Sequence, residues 1–117
     1  MTMNIKVANV DRERVMEFVK NHRDDMLSTI PFDRLEEIPR TGIQGAYSLI
    51  KAAKSRGEFH VDRDMVLCFE TNNRGEFILN MSRIIRKSAI DPFELTEAEI
   101  EGRKQAQEIV AFMRKYI

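Results

Sequence analysis

The sequence predicts an α+β domain in which a three- or four-stranded antiparallel sheet packs with three main helices. Three observations predict it. The apolar residues recur at helical spacing over 11–26, 41–56 and 97–116, but at every second position over 58–81. The tetrapeptide Arg56-Gly57-Glu58-Phe59 recurs as Arg74-Gly75-Glu76-Phe77, which reads as two strands that each follow a glycine turn. Finally, 117 residues with 43% apolar and 32% charged composition fit a single compact domain over 1–117 with one core.

Taken in order, residues 4–8 alternate, with Ile5 and Val7 apolar around Lys6, and predict a short N-terminal strand. Asp11 is suited to cap a helix by accepting first-turn N–H groups. Val15, Phe18, Val19, His22 and Met26 then form an apolar stripe, with His22 expected as a hydrogen-bonded core residue. Pro31 bounds that helix, because the residue before a proline avoids helical geometry. Pro31 to Pro39 reads as a turn anchored by Phe32, Leu35 and Ile38. A second helix is expected from Thr41 to Arg56, burying Ile43, Ala46, Tyr47, Ile50 and Ala53 and ending at Gly57 in the left-handed conformation.

The segment 58–81 reads as a meander with strands Glu58–Val61, Met65–Glu70 and Glu76–Met81. Facing Phe59 to Leu67, Phe69 to Phe77 and Leu67 to Leu79 gathers Phe59, Val61, Met65, Leu67, Phe69, Phe77, Leu79 and Met81 on one side. A slip of one residue destroys that arrangement. The other side then carries Val66, Cys68 and Ile78 among Glu58, His60, Glu70, Glu76 and Asn80. Ile84 and Ile85 lie in a basic stretch without clear period and are expected to be buried. Thr96 with Glu99 forms a capping-box pattern. A last helix is therefore expected over 97–116, with Ala106, Ile109, Val110, Met113 and Tyr116 or Ile117 inward.

Several function classes are excluded or disfavoured. No apolar run exceeds five residues, whereas a membrane span needs about 20. No apolar run adjoins Arg12 and Arg14, so no secretory signal is expected. The single cysteine, Cys68, allows no intrachain disulfide, and a reduced, cytoplasmic location follows as the expectation. Only His22 and His60 are present, and the zinc, calcium, phosphate-loop and nucleophile-elbow patterns are all missing. Neither a metal nor a cofactor is expected.

Three features remain that can carry function. Val66, Cys68 and Ile78, on the second side of the meander, are an apolar patch that a helix, a second copy in a homodimer or another protein would cover. The zero net charge hides segregation: Arg40, Lys51, Lys54 and Arg56 lie in 40–56 without an acid, and Arg83, Arg86 and Lys87 in 82–90 likewise. Residues 91–101 hold five acids and no base. The two basic segments would bind a phosphate-containing ligand if they met. Lastly, Cys68 and His60 on neighbouring strands would form a thiol–imidazole pair, with Glu58 or Glu70 orienting the ring. The sequence is read first as a small non-enzymatic binding protein of regulatory, adaptor or inhibitor type. A binder of a nucleotide or nucleic acid is the alternative, and a cysteine-dependent enzyme comes third.

Overall fold

Four short strands make one antiparallel sheet in the computed structural model, which describes residues 1–27 and 32–117. They are β1 (Ile5–Val7), β2 (Gly42–Gly45), β3 (Val66–Glu70) and β4 (Phe77–Leu79), arranged β1–β4–β3–β2. Three helices accompany them: α1 (Arg12–Asn21), α2 (Tyr47–Ser55) and α3 (Pro92–Tyr116). The α+β class, the four-stranded antiparallel sheet and the three helices agree with the sequence reading. The expected boundary at Pro31 lies outside the described residues, although α1 itself already ends at Asn21.

Local signals place β1 and α1. Asp11 caps α1, its carboxylate accepting the N–H groups of Glu13 and Arg14 at 3.1 and 3.2 Å. Val15, Met16, Phe18 and Val19 turn inward. His22 is not in the core. It occupies the exposed C-cap, where its ring stacks on Phe18 at 4.2 Å and Nδ1 lies 2.8 Å from the Phe18 carbonyl. Leaving the helix lets a polar ring cover Phe18 while staying in water.

The expected helix over 41–56 divides into β2 and a shorter α2. The two glycines of Thr41-Gly42-Ile43-Gln44-Gly45 are the reason. A Cβ on Gly42 would sit 2.5 Å from the Cys68 carbonyl oxygen, and one on Gly45, at φ +148°, 2.5 Å from that of Asp25. Both permit close backbone approach. Ala46 then takes the left-handed conformation (φ 58°), and Asp25 supplies the missing cap of α2. Its carboxylate accepts the Ser48 N–H at 3.0 Å and the Ser48 hydroxyl at 2.5 Å. Ile43, Ala46, Ile50 and Ala53 are buried as expected, but Tyr47 is exposed. Gly57 follows α2 at φ +70°, as its position predicts.

The meander is corrected in two ways. Residues 58–61 are not part of the sheet. The backbone N–H groups of His60 and Val61 donate instead to the Glu108 carboxylate of α3 at 2.6 and 3.2 Å, and Phe59 packs on Phe112 with ring centroids 4.9 Å apart. A helix carboxylate thus replaces a strand neighbour.

The second correction is the register of β3 on β4. Cys68 faces Leu79, Phe69 faces Ile78 and Glu70 faces Phe77. That is one residue away from the expected pairing, so β3 turns over. Val66, Cys68 and Glu70 point to the core with Phe77 and Leu79, while Leu67 and Phe69 point away. Glu70 explains the choice. Its carboxylate accepts from Thr41 N at 3.0 Å, Gly75 N at 3.2 Å and Arg12 Nε at 3.0 Å. A buried carboxylate with donors on several sides outweighs the apolar alternation of a short strand. Burial pushes the Glu70 carboxyl up, but the hydrogen bonds from Thr41 and Gly75 and the Arg12 charge together hold it below the ordinary carboxylate value.

α3 begins earlier than the capping-box pattern implies. Asp91 is the cap, accepting from Phe93 N and Glu94 N at 2.9 Å, with Pro92 in the first helical position. There the missing proline N–H costs nothing. Thr96 lies inside the helix and donates its hydroxyl to the Pro92 carbonyl at 2.8 Å. Asp91→Ala should lower stability by about 1 kcal/mol, measured by urea unfolding, whereas Thr96→Ala should change it by less than half as much.

The 25 residues of α3 make a rod of about 37 Å. Ile109 and Phe112 bury its C-terminal half in the main core. Its middle rests on the chain start, where Gly102 is so close to Met3 that a Cβ would lie 2.9 Å from the Met3 Cε. Residues 1–3 prolong the β1–β4 ladder: Ile84 N donates to the Met1 carbonyl at 2.8 Å, and Met3 N to Ser82 Oγ at 2.6 Å. Gln105 pins the helix to this edge through both the N–H and the carbonyl of Arg83. Ile84 is buried as expected, but Ile85 is half exposed.

Candidate functional site

The patch of Val66, Cys68 and Ile78 does not exist as one surface. Val66 and Cys68 are 0% and 1% exposed on the core side, and Ile78 lies on the opposite side of the sheet. The one-residue register difference is the cause. The outer side instead presents Leu67, Phe69 and Ile78, beside Lys6 and Gln44 of the flanking strands.

The same turn of β3 separates Cys68 from His60. Cys68 faces inward, and burial pushes its thiol up to about 12, against a smaller opposite effect of a hydrogen bond from the Ile43 backbone. Such a thiol holds no thiolate at neutral pH and is not an activated nucleophile. His60 is exposed, and its Nδ1 lies 3.0 Å from Glu108. The two residues proposed to orient the ring are engaged elsewhere. Glu58 accepts from the Tyr116 hydroxyl and from Lys115 at 2.9 Å; these bonds, with Arg56 at 3.3 Å, bring its carboxyl down to about 2. Glu70 holds Arg12.

Four of the seven basic residues proposed for a phosphate group are paired with carboxylates. Lys54 pairs with Asp64 at 3.3 Å, Arg56 with Glu58, Arg83 with Asp62 at 3.7 Å, and Lys87 with Glu97. Arg40, Lys51 and Arg86 have no acidic partner among the described residues. Lys54 and Arg83, one from each basic segment, both pair with acids of the 62–64 loop, where Arg63 also donates to the Ser82 carbonyl at 3.1 Å. The acidic run is absorbed locally too. Asp91 caps α3, Glu94 accepts from Ser88 N, and Glu99 pairs with Arg103 at 2.6 Å. Part of the charge segregation visible in the sequence is thus taken up in helix initiation and loop tethering.

Exposed apolar side chains concentrate at the N-terminal end of α3 and the loop leading into it. Among the described residues, five of the eight exposed large apolar side chains lie between 85 and 100: Ile85 (50%), Ile90 (95%), Phe93 (81%), Leu95 (45%) and Ile100 (51%). Phe93 and Ile100 are seven residues apart and share one helical face. They are uncovered because α3 starts at Pro92 and its first buried side chain is Ala98. Starting the helix at Glu97 hid this feature from the sequence reading. The signal that finds it is Asp91-Pro92, a better initiation pair than Thr96 with Glu99.

No helix is long and apolar enough to cross a membrane, and no three potential metal ligands cluster among the described residues. No protein-family model matches the chain, and no curated protein or solved structure matches it either.

Proposed function

We propose that the chain is a small non-enzymatic binding protein, of regulatory, adaptor or inhibitor type, working in the cytoplasm. It acts through protein–protein contact at the free end of α3. One observation carries the reading: Phe93, more than four-fifths exposed, and Ile100, half exposed, share one face of the first turns of α3, with three further exposed apolar side chains, Ile85, Ile90 and Leu95, in the same stretch of chain. Interface cores are built from large apolar and aromatic anchors within a polar rim. Here Phe93 and Ile100 are the anchors, and Glu97, Glu99 and Arg103 the rim. The occupant is another protein or a second copy in a homodimer. The tethering of Ser88 to Glu94 and of Lys87 to Glu97 presents the loop and helix as one unit, which lowers the ordering cost on binding.

Replacing Phe93 or Ile100 with a photo-crosslinking phenylalanine analogue in the producing cell tests this. A discrete adduct, identified by mass spectrometry as this chain or another protein, is expected from both positions and not from Asn72, an exposed residue of the turn between β3 and β4. Equal and diffuse labelling from all three sites contradicts it. The outer side with Leu67, Phe69 and Ile78 is less exposed: of these three, only Phe69 exceeds a third.

A further inference from the structure

The core side of the sheet is covered, with Phe77 and Leu79 at most 2% exposed, but the cover is indented. Between the start of α1 and the last turns of α3 runs a cleft of about 440 Å³, within the size range of small-molecule sites. Phe77 and Leu79 form its floor, and Val7, Val15, Val110 and Met113 its walls. Those walls offer no hydrogen-bonding side chain, so a ligand portion lying there must be hydrocarbon. Val110 and Arg114 also border a shallower, open groove beside Ile5, Ala106, Gln107 and Ala111.

The mouth has a different character. Arg14 and Arg114 line it from the two helices, both are exposed, and neither has an acidic partner among the described residues. The one carboxylate side chain at the mouth, Asp11, is already engaged by the N–H groups of Glu13 and Arg14. Two cations from separate helices at the open end of an apolar slot are complementary to an anionic head on a hydrocarbon tail.

We infer that the cleft between α1 and α3 binds a linear aliphatic carboxylate, its tail between Val15 and Val110 and its head at Arg14 and Arg114. The site is on the opposite side of α3's length from its free end and does not depend on the protein-binding reading.

Titration of the full chain with octanoate, decanoate and dodecanoate below their micelle concentrations, followed by ¹⁵N NMR, tests it. Saturable shifts are expected at Val10, Val15, Val110 and Met113, with affinity rising about four-fold per added methylene. The double variant Arg14→Ala, Arg114→Ala, altered only at exposed positions, should bind decanoate about ten-fold more weakly and decanol unchanged. Shifts that do not saturate, that centre on Phe93 and Ile100, or an equal loss for decanoate and decanol in the arginine variant would overturn the assignment.

Discussion

Val66→Asp should unfold the protein or cost on the order of 4–5 kcal/mol, while Phe69→Lys should change stability by less than about 1 kcal/mol. Val66 is fully buried on the core side of β3, and Phe69 is 46% exposed on the outer side. An unpaired carboxylate at Val66 has no partner and no water. A lysine at Phe69 reaches solvent directly, its stem lying over Ile78. Such a loss is a large share of the stability of an ordinary domain, which totals about 5–15 kcal/mol. The pairing expected from alternation alone puts Phe69 inside and Val66 outside, and so ranks the two substitutions in the reverse order. Denaturant unfolding of both variants distinguishes the registers without a new structure.

The second large effect belongs to Glu70. Glu70→Ala removes the acceptor of Arg12, Thr41 and Gly75 at once. Arg12 is mostly buried, its side chain 14% exposed, so the change strands a charge and two backbone donors. The expected cost is about 3–5 kcal/mol. It should also alter the pH dependence. The folded-state Glu70 carboxyl lies below its ordinary 4.5. Its contribution is therefore complete above 4.5 and is lost as the pH falls through the lower folded value. Glu58, Glu76 and Glu108 are held low as well, so the wild type weakens in acid for several reasons. Glu70→Gln, which keeps the shape, should lose stability less steeply than the wild type below pH 4.5. Parallel curves for the two proteins would show that Glu70 does not set this behaviour.

These two predictions fall where the sequence was not legible. β1, the Asp11 cap and the turn at Gly57 announce themselves within a few residues, and the pattern shows them; of the expected inward stripe of the last helix only Ile109 is buried, Val110, Met113, Tyr116 and Ile117 pack half-buried at the core's margin, and the buried Phe112 was missed. What it did not show depends on distant partners. The register of β3 is held by a glutamate whose donors come from residues 12, 41 and 75. Residues 58–61 are tied to Glu108 rather than to a strand. Gly42 and Gly45 read equally well as a helix start until Cys68 and Asp25 are seen against them. The candidate sites suffered most, because the proposed patch assumed the alternative register and the thiol–imidazole pair assumed a strand at 58–61 beside β3. The free end of α3 was missed for a local reason, the choice between two competing cap patterns.

The claim that this end is a contact surface can be tested through the reactivity of a cysteine placed on it. In Phe93→Cys, the native Cys68 is an internal unreactive control, being buried with its thiol raised to about 12. Maleimide labelling of the new thiol should be fast in the dilute purified protein and strongly slowed inside the producing cell, or at high protein concentration if the partner is a second copy. Labelling equally fast in cells, in dilute solution and in concentrated solution would show that nothing covers Phe93, and would contradict the account.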